Sequence, residues 1–243
     1  MRLRGAGLDL RGHLPEAFGR KTQAFSGTLA DGQPFSLAIV ASYLTRSVIQ
    51  GPFLEVSSET PFFLTAPWRR INTRLEGFVR APAAYFTQDA QELAARGELD
   101  DPYTYEGSVT PTRLTRSVLS LLETRYVYTG GAHPNTDYRS LTFRRVGERT
   151  VRVTLRNLFR DGTPYRRVLL SEVNCKLRAR RAAWIVDGSV TLKERDLNVF
   201  TLTSRGLEFV FAPYAVGPYA QGVFFVTVSY DALKNLLKPA FLP

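Results

Sequence analysis

Apolar and polar residues alternate along several stretches of the chain, which is the pattern of a half-buried β-strand. Residues 25–29 alternate in this way, and the Asp31-Gly32 pair predicts a hairpin turn into the apolar residues 35–44. In residues 151–155 the alternation places Val151 on the core face. Further strands are predicted at 53–56, 103–143, 197–202, 207–212 and 223–228, with a sharp turn at Gly130-Gly131.

Apolar residues at helical spacing predict two longer helices and a short one. The first begins near Pro67, and we expect Pro82 to break or kink it before a second piece ends at Gly97. The second longer helix covers residues 163–181, with an apolar stripe on one face and arginine on the other. A short helix over residues 230–237 closes the chain.

The order of these elements predicts the fold class. Strands and helices do not alternate one for one, as they would in a doubly wound parallel sheet. We therefore expect an α+β fold with a mainly antiparallel sheet, two longer helices packed against it and a short C-terminal helix. The predicted parts are an N-terminal extension (1–22), an α+β part with the long helix (23–126) and a second α+β part (127–243).

Positive charge is concentrated in one segment. The 243 residues contain 32 Lys and Arg against 22 Asp and Glu, a net charge of +10, and residues 139–181 hold 13 basic against 3 acidic residues. Such a cluster attracts anionic partners, whether nucleic acid, phospholipid headgroups at a membrane surface, or anionic cell-wall polymer. A merely solvated arginine face explains the charge equally well. The candidate binding arginines are Arg152, Arg156, Arg166, Arg167, Arg178 and Arg181.

Residues suited to catalysis or metal binding are scarce. The chain has two histidines, His13 and His133, and contains no GxSxG, GxxxxGK[ST] or GxGxxG motif. Its one cysteine, Cys175, permits no internal disulfide, and no Cys/His grouping suits zinc. We therefore expect binding rather than catalysis, with no cofactor or metal. A hydrolase, the alternative, needs a third polar group beside His133 and Asp137.

The chain shows no readable targeting segment. Its first residues are basic, but Asp9 and Arg11 interrupt any apolar stretch, so we expect no signal peptide here. No uncharged apolar run approaches the roughly 20 residues of a membrane-spanning helix. We expect either a protein that stays inside the cell or one whose export signal has been removed.

The most specific local sequence is YTGGAHPNTDY at residues 128–138. It resembles the GGAH signature of the RsiV-like domain, a bacterial extracytoplasmic domain of largely unknown function that is also found beside a polysaccharide deacetylase. Three more matches in family order are Ile71-Asn72, Asn157-Leu158-Phe159 and residues 211–222. The resemblance spans about residues 25–238 and implies a β-rich first part with a long helix, followed by the GGAH-bearing part, outside the cytoplasmic membrane.

Aromatic residues around these motifs are further binding candidates, because their rings can stack on a sugar or anchor a protein partner. They are Tyr128, His133, Tyr138, Tyr214 and Tyr219. Tyrosines that flank turns also serve simply as packing residues. The first hypothesis is a non-enzymatic cell-envelope binding or assembly module with a basic surface for an anionic cell-wall polymer or envelope protein. The alternatives are an intracellular nucleic-acid-binding protein and, from the resemblance, a lysozyme-binding sensor-like domain.

Overall fold

The computed structural model describes residues 2–5, 8–13, 24–28, 33–38, 41–50, 53–99 and 101–243. Within these residues the strands form three sheets, and every strand pair except one is antiparallel. Helices pack against the sheets, so the predicted α+β fold class is confirmed. None of the helices in the described ranges is long and apolar enough to cross a bilayer.

The first sheet has four strands. They are β1 (Arg2–Gly5), β2 (Leu8–His13), β3 (Ala24–Thr28) and β4 (Pro34–Ala38), in that order. Phe25 of β3 lies opposite Leu37 of β4, which confirms the predicted hairpin. The Asp31-Gly32 turn lies outside the described residues. The apolar stretch 35–44 is shared between β4 and the next strand, β5 (Ala41–Gln50).

The second sheet has six strands in the order β10-β9-β8-β7-β6-β5. They are β5 (Ala41–Gln50), β6 (Leu54–Phe63), β7 (Tyr103–Leu114), β8 (Val118–Tyr128), β9 (Asn135–Val146) and β10 (Arg149–Val153). The parallel pair is β6 with β7, because the helical crossover between them returns the chain to the same end of the sheet.

That crossover is a 3₁₀ turn, Trp68–Ile71, followed by α1 (Asn72–Ala95). We predicted a break or a kink at Pro82; the break was wrong, because α1 is continuous through it, and the kink stays a prediction. Proline cannot donate to the carbonyl four residues earlier, which belongs to Phe78. Instead Arg139 Nη2 donates to the Phe78 oxygen over 3.2 Å, and its guanidinium lies 3.9 Å from the Phe78 ring centre. The sheet thus supplies the donor that proline removes.

The end of α1 was predicted correctly at Gly97. Its φ of +70° suits glycine, and the N–H groups of Gly97 and Glu98 donate to the carbonyls of Ala94 and Leu93 over 3.0 Å each. The core beneath α1 consists of buried apolar side chains: Phe63, Trp68, Ile71, Leu75, Val79, Val109, Leu119, Leu121, Leu141 and Phe143.

The C-terminal part adds three strands and three α-helices. They are α2 (Tyr165–Ala179), α3 (Ala183–Val186), β11 (Phe200–Leu202), β12 (Gly206–Phe211), β13 (Phe224–Ser229) and α4 (Tyr230–Leu233). The strands, the second longer helix and the closing helix were predicted, whereas the separate small sheet and the helix α3 were not. The apolar stripe Leu169, Val173 and Leu177 of α2 is fully buried. The closing helix is shorter than the predicted 230–237.

The edge of β11 docks on the large sheet, on the face opposite α1. The N–H groups of Phe200 and Leu202 donate to Ser140 Oγ and Ser120 Oγ over 3.0 and 2.9 Å. An unpaired strand edge needs partners for its backbone groups, and the two serines supply them. The small sheet is thereby fixed to the centre of the large one.

Val151 corrects one prediction about burial. It shares a face with Val153, as the alternation requires, but it is 41% exposed whereas Val153 is buried. The strand β10 lies at the edge of the sheet, and Val151 pairs with the exposed end of β9. The alternation therefore predicted correctly that Val151 and Val153 share a face of β10. It did not predict that only the Val153 end of this face is buried.

Candidate functional site

Three of the predicted residues meet where the loop between β8 and β9 touches the loop between β12 and β13. His133 Nε2 lies 3.1 Å from the Tyr214 hydroxyl. The rings of His133 and Tyr219 stack with centroids 3.8 Å apart and planes 14° apart. Trp184 joins them, with its ring centroid 6.4 Å from that of Tyr214. We call His133, Trp184, Tyr214 and Tyr219 the aromatic surface.

The GGAH turn, residues 130–133, positions His133 and depends on the backbone angles of its two glycines. Gly130 and Gly131 have φ angles of +84° and +90°, which residues with a side chain rarely adopt. A Cβ on Gly130 would also come within 2.8 Å of the Asp101 carboxylate. Tyr128 donates to the Gly131 carbonyl over 3.2 Å, so this predicted binding residue contacts its own loop.

The loop between β12 and β13 is held against α3 by Gln221. Its Oε1 accepts from the Ala183 N–H over 3.0 Å, and its Nε2 donates to the Arg181 carbonyl over 2.9 Å. The backbone N–H of Trp184 donates to the Val216 carbonyl over 3.1 Å. These bonds bring the indole of Trp184 to the tyrosines.

Tyr214 has a left-handed backbone, with φ of +67°, and its side chain is 49% exposed. Such a conformation costs a residue other than glycine about 1–3 kcal/mol and persists only when surrounding contacts enforce it. Strained backbone of this kind is concentrated at functional sites. Here it accompanies a large ring that faces solvent.

Both nitrogens of His133 are engaged. Nδ1 lies 3.0 Å from the Pro134 carbonyl, so in the neutral ring Nδ1 donates there and Nε2 accepts from the Tyr214 hydroxyl. The Asp137 carboxylate instead lies 3.8 Å from Arg125 Nη2. Across the described part of the chain, no group of three His, Cys, Asp or Glu side chains comes together as metal ligands would.

One group of predicted arginines surrounds Glu194. Arg152 and Arg156 line a groove of about 350 Å³ that also contains this carboxylate. Arg166 forms an ion pair with Glu194, and Tyr165 donates to it over 2.8 Å. The hydrogen bonds from Arg166 and Tyr165 hold the pKa of Glu194 below its usual value.

The remaining predicted arginines lie along α2 and at its end. Arg167 is exposed, and Arg178 lines a groove of about 270 Å³ beside residues 188–192. Arg181 is exposed at the turn into α3, and its backbone carbonyl accepts a hydrogen bond from Gln221 of the loop between β12 and β13. Arg180, which was not predicted, lies over the Phe224 ring, 5.3 Å from its centroid, and donates to the Phe225 carbonyl over 2.5 Å.

Tyr138 stands slightly apart from the aromatic surface. Its ring meets that of Phe225 edge-on, with centroids 5.9 Å apart, and burial raises its pKa. Trp184 and Gln221 were missed from the sequence. Gln221 lies inside the 211–222 motif, whereas Trp184 belongs to a short apolar run that is indistinguishable from core.

Two family models match the chain in successive segments. Residues 53–136 match the model described as "Deacetylase PdaC", and residues 156–231 match "Protein of unknown function (DUF3298)". Residues 156–231 are thus similar to a DUF3298-family domain. The aromatic surface joins the two segments, since His133 belongs to the first and the other three residues to the second. The narrower RsiV-like assignment stays a prediction.

Two solved structures are similar to this chain. A DUF3298 family protein from Pseudomonas aeruginosa PAO1 has a TM-score of 0.60 and 17% identity, covering 84% of this chain and 94% of that one. A DUF3298 family member from Bacteroides fragilis NCTC 9343 has a TM-score of 0.58 and 15% identity, covering 82% and 94%. At these identities the likeness shows the fold alone. The comparison with curated proteins finds no match.

Proposed function

We propose that this chain is a non-enzymatic binding module of the cell envelope that holds an anionic cell-wall polymer. The observation that carries the proposal is the aromatic surface, which two segments assemble around the strained and exposed Tyr214. A fold that maintains a strained backbone to present a ring suggests that the ring meets a partner.

The aromatic surface and the neighbouring arginines suit complementary parts of such a polymer. Aromatic rings stack on the apolar faces of sugars, and guanidinium groups bind carboxylate or phosphate in a fork geometry. The backbone carbonyl of Arg181 is bonded to the loop that carries Tyr214 and Tyr219, and the excess charge of residues 139–181 would speed the encounter with a polyanion.

The surroundings of His133 support the non-enzymatic part of the proposal. A general base needs a nitrogen within reach of a substrate proton, with a second group to orient it. Here Tyr214 and the Pro134 carbonyl engage the two nitrogens, while Asp137 pairs with Arg125. The envelope location belongs to the same proposal and rests on the GGAH resemblance.

Co-sedimentation with purified cell-wall sacculi at low and high salt tests this function. The arginines changed to serine together are Arg166, Arg167, Arg178 and Arg181. The matched control changes four exposed arginines elsewhere to serine: Arg69, Arg74, Arg80 and Arg116. A third protein carries Tyr214→Asn, which removes the ring but tolerates the left-handed backbone.

We expect salt-sensitive binding that the first variant loses and the control keeps. Tyr214→Asn should weaken binding about five- to tenfold, the equivalent of a lost stacking contact. Equal losses in both arginine variants would mean that net charge alone drives sedimentation. Failure of the folded wild type to sediment would eliminate cell-wall polymer and favour an envelope protein or nucleic acid as the partner.

A further inference from the structure

A second site lies between α1 and the large sheet and shares no lining residue with the aromatic surface. It is an open cavity of about 710 Å³, within the size range of small-molecule sites. Its lining combines apolar, acidic and hydrogen-bonding side chains. They are Pro82, Tyr85, Phe86, Gln88, Asp89, Glu92, Tyr105, Arg125 and Val127.

Tyr105 forms the inner wall of this cavity and is only 2% exposed. Its ring lies across Gly107, where a Cβ would come within 3.1 Å of the hydroxyl, and Phe86 packs against it with centroids 5.5 Å apart. Its hydroxyl is buried and meets no hydrogen-bond partner within the described part of the chain. A buried hydroxyl without a partner is costly, so its retention points to a ligand.

Arg125 lies directly opposite Gly107 in the sheet, which puts its side chain beside the Tyr105 hydroxyl. Its Nε is also buried and has no hydrogen-bond partner among the described residues. The carboxylates of Glu123 and Asp137 lie 4.0 and 3.8 Å from its nitrogens, which is too long for hydrogen bonds.

The charge of the buried Glu123 is already compensated on its other side. Arg139 donates to both carboxylate oxygens, from Nε to Oε2 and from Nη2 to Oε1 over 2.7 Å. Arg125 forms a longer ion pair with Asp137, and its Nε is left as an unused donor at the inner end of the cavity. An anionic oxygen acceptor completes this arrangement.

The outer end of the cavity has the opposite character. Asp89 and Glu92 of α1 are exposed carboxylates on the rim, and they disfavour a ligand that is anionic throughout. Between the two ends, Phe86 and Val127 offer apolar surface. The cavity thus has an inner cation with two donors, an apolar middle and an acidic rim.

We propose that this cavity binds a small zwitterion, an amino acid or short peptide, with its carboxylate on the Tyr105 hydroxyl and Arg125 and its ammonium group towards Asp89 and Glu92. Burial raises the pKa of Tyr105, which keeps its hydroxyl protonated as a donor. The site is independent of the aromatic surface.

Ligand-observed NMR with the full-length protein tests this site. The probes are a panel of free amino acids and dipeptides, each dipeptide also as its C-terminal amide and its N-acetyl form. We expect saturation transfer to probes in which both termini are free. The transfer should be lost with the C-terminal amides and should be weaker with the N-acetyl forms. Preference for amino acids or for dipeptides identifies the source of the ligand. Absence of transfer to every member overturns the proposal.

Tyr105→Phe removes the proposed donor with little change of shape. Binding of the best probe should fall about tenfold or more, as expected for a lost hydrogen bond to a charged group. Tyr103→Phe is the control, because Tyr103 also packs against Phe86 but does not line the cavity. Equal affinity in wild type and Tyr105→Phe overturns the assignment.

Thermal melting without ligand provides a second readout. Tyr105→Phe should raise the melting temperature, because it removes a buried hydroxyl without a partner among the described residues, yet it should reduce the rise that the best probe induces in the wild type. A lower melting temperature would assign the hydroxyl a structural role and overturn the proposal. The sacculus experiment leaves Tyr105 unchanged, so the two proposals fail separately.

Discussion

At the scale of single residues, the loop that carries Tyr214 and Tyr219 depends on backbone conformations that differ in their tolerance of side chains. Gly222, which precedes β13, has φ of +69° and ψ of −150°, a region that essentially only glycine occupies. Tyr214 adopts a left-handed conformation that asparagine also tolerates. A substitution at Gly222 therefore tests the loop geometry, whereas a substitution of Tyr214 by asparagine tests the ring.

Gly222→Ala should lower the free energy of unfolding by about 1–3 kcal/mol, because alanine strains at these angles. The matched control is Gly77→Ala, in the exposed middle of α1 with open space around its Cα. There alanine should raise stability by about 0.5–1 kcal/mol through helix propensity. Urea unfolding measures both changes, and a shift of the same sign at the two glycines would contradict the conformational argument.

At the scale of elements, one contact holds the C-terminal part to the large sheet and a second joins two elements within the C-terminal part. The edge of β11 donates to the serine hydroxyls of β8 and β9. Glu194, in the 3₁₀ turn before β11, binds Tyr165 and Arg166 at the start of α2. One contact is buried and independent of charge, whereas the other is partly exposed and depends on ionisation.

Ser120→Ala should destabilise the protein by about 1–3 kcal/mol, because the buried Leu202 N–H would lose its acceptor. Ser57→Ala, on partly exposed β6, is the control and should change stability by no more than about 0.5 kcal/mol. Denaturant midpoints compare the two variants. A neutral Ser120→Ala would show that β11 does not depend on this bond.

Glu194 makes a pH-dependent contribution. Its pKa in the folded protein is lowered from 4.5 by hydrogen bonds from Arg166 and Tyr165, so the stabilisation is fully present above about pH 4.5 and is lost as the pH falls through the folded pKa. Glu194→Gln should therefore melt below the wild type at neutral pH and approach it in acid. Arg166→Gln removes the same ion pair, so it should lower the melting temperature at neutral pH by most of the same amount. A gap that does not narrow on acidification would contradict this.

At the scale of the whole molecule, the C-terminus is fastened across the fold to β7. Arg113 Nη1 donates to the Tyr230 hydroxyl and the Phe241 carbonyl over 2.8 and 2.7 Å, and Nη2 donates to the Leu242 carbonyl over 2.6 Å. One side chain thus joins the first matched segment to residues more than 115 positions later. We expect the two parts to unfold together.

Arg113→Ala should lower the free energy of unfolding by about 2 kcal/mol, the scale of lost hydrogen bonds to a charged group. Amide exchange at Phe241 and neighbouring residues should accelerate more than exchange in β8. Arg116→Ala, in the exposed turn between β7 and β8, is the control. Equal acceleration throughout the chain would indicate global rather than terminal loosening.

The sequence by itself determined those features that depend on neighbouring residues. The strands within residues 103–143, the buried residues Leu169, Val173 and Leu177 of α2, and the end of α1 at Gly97 follow from residue pattern and backbone preference. These local rules were sufficient for the fold class.

Only the tertiary structure decided how Pro82 is accommodated and which residues form the sites. Arg139 lies 61 positions from the carbonyl that it satisfies, and His133 lies 81 positions from Tyr214. In the sequence Tyr105 is an ordinary strand residue, and only the structure places it beside Gly107 and Arg125. Periodicity indicates the face of an element on which a side chain lies. Contacts between residues distant in sequence depend on strand register and on how loops pack together, and no local pattern contains that information.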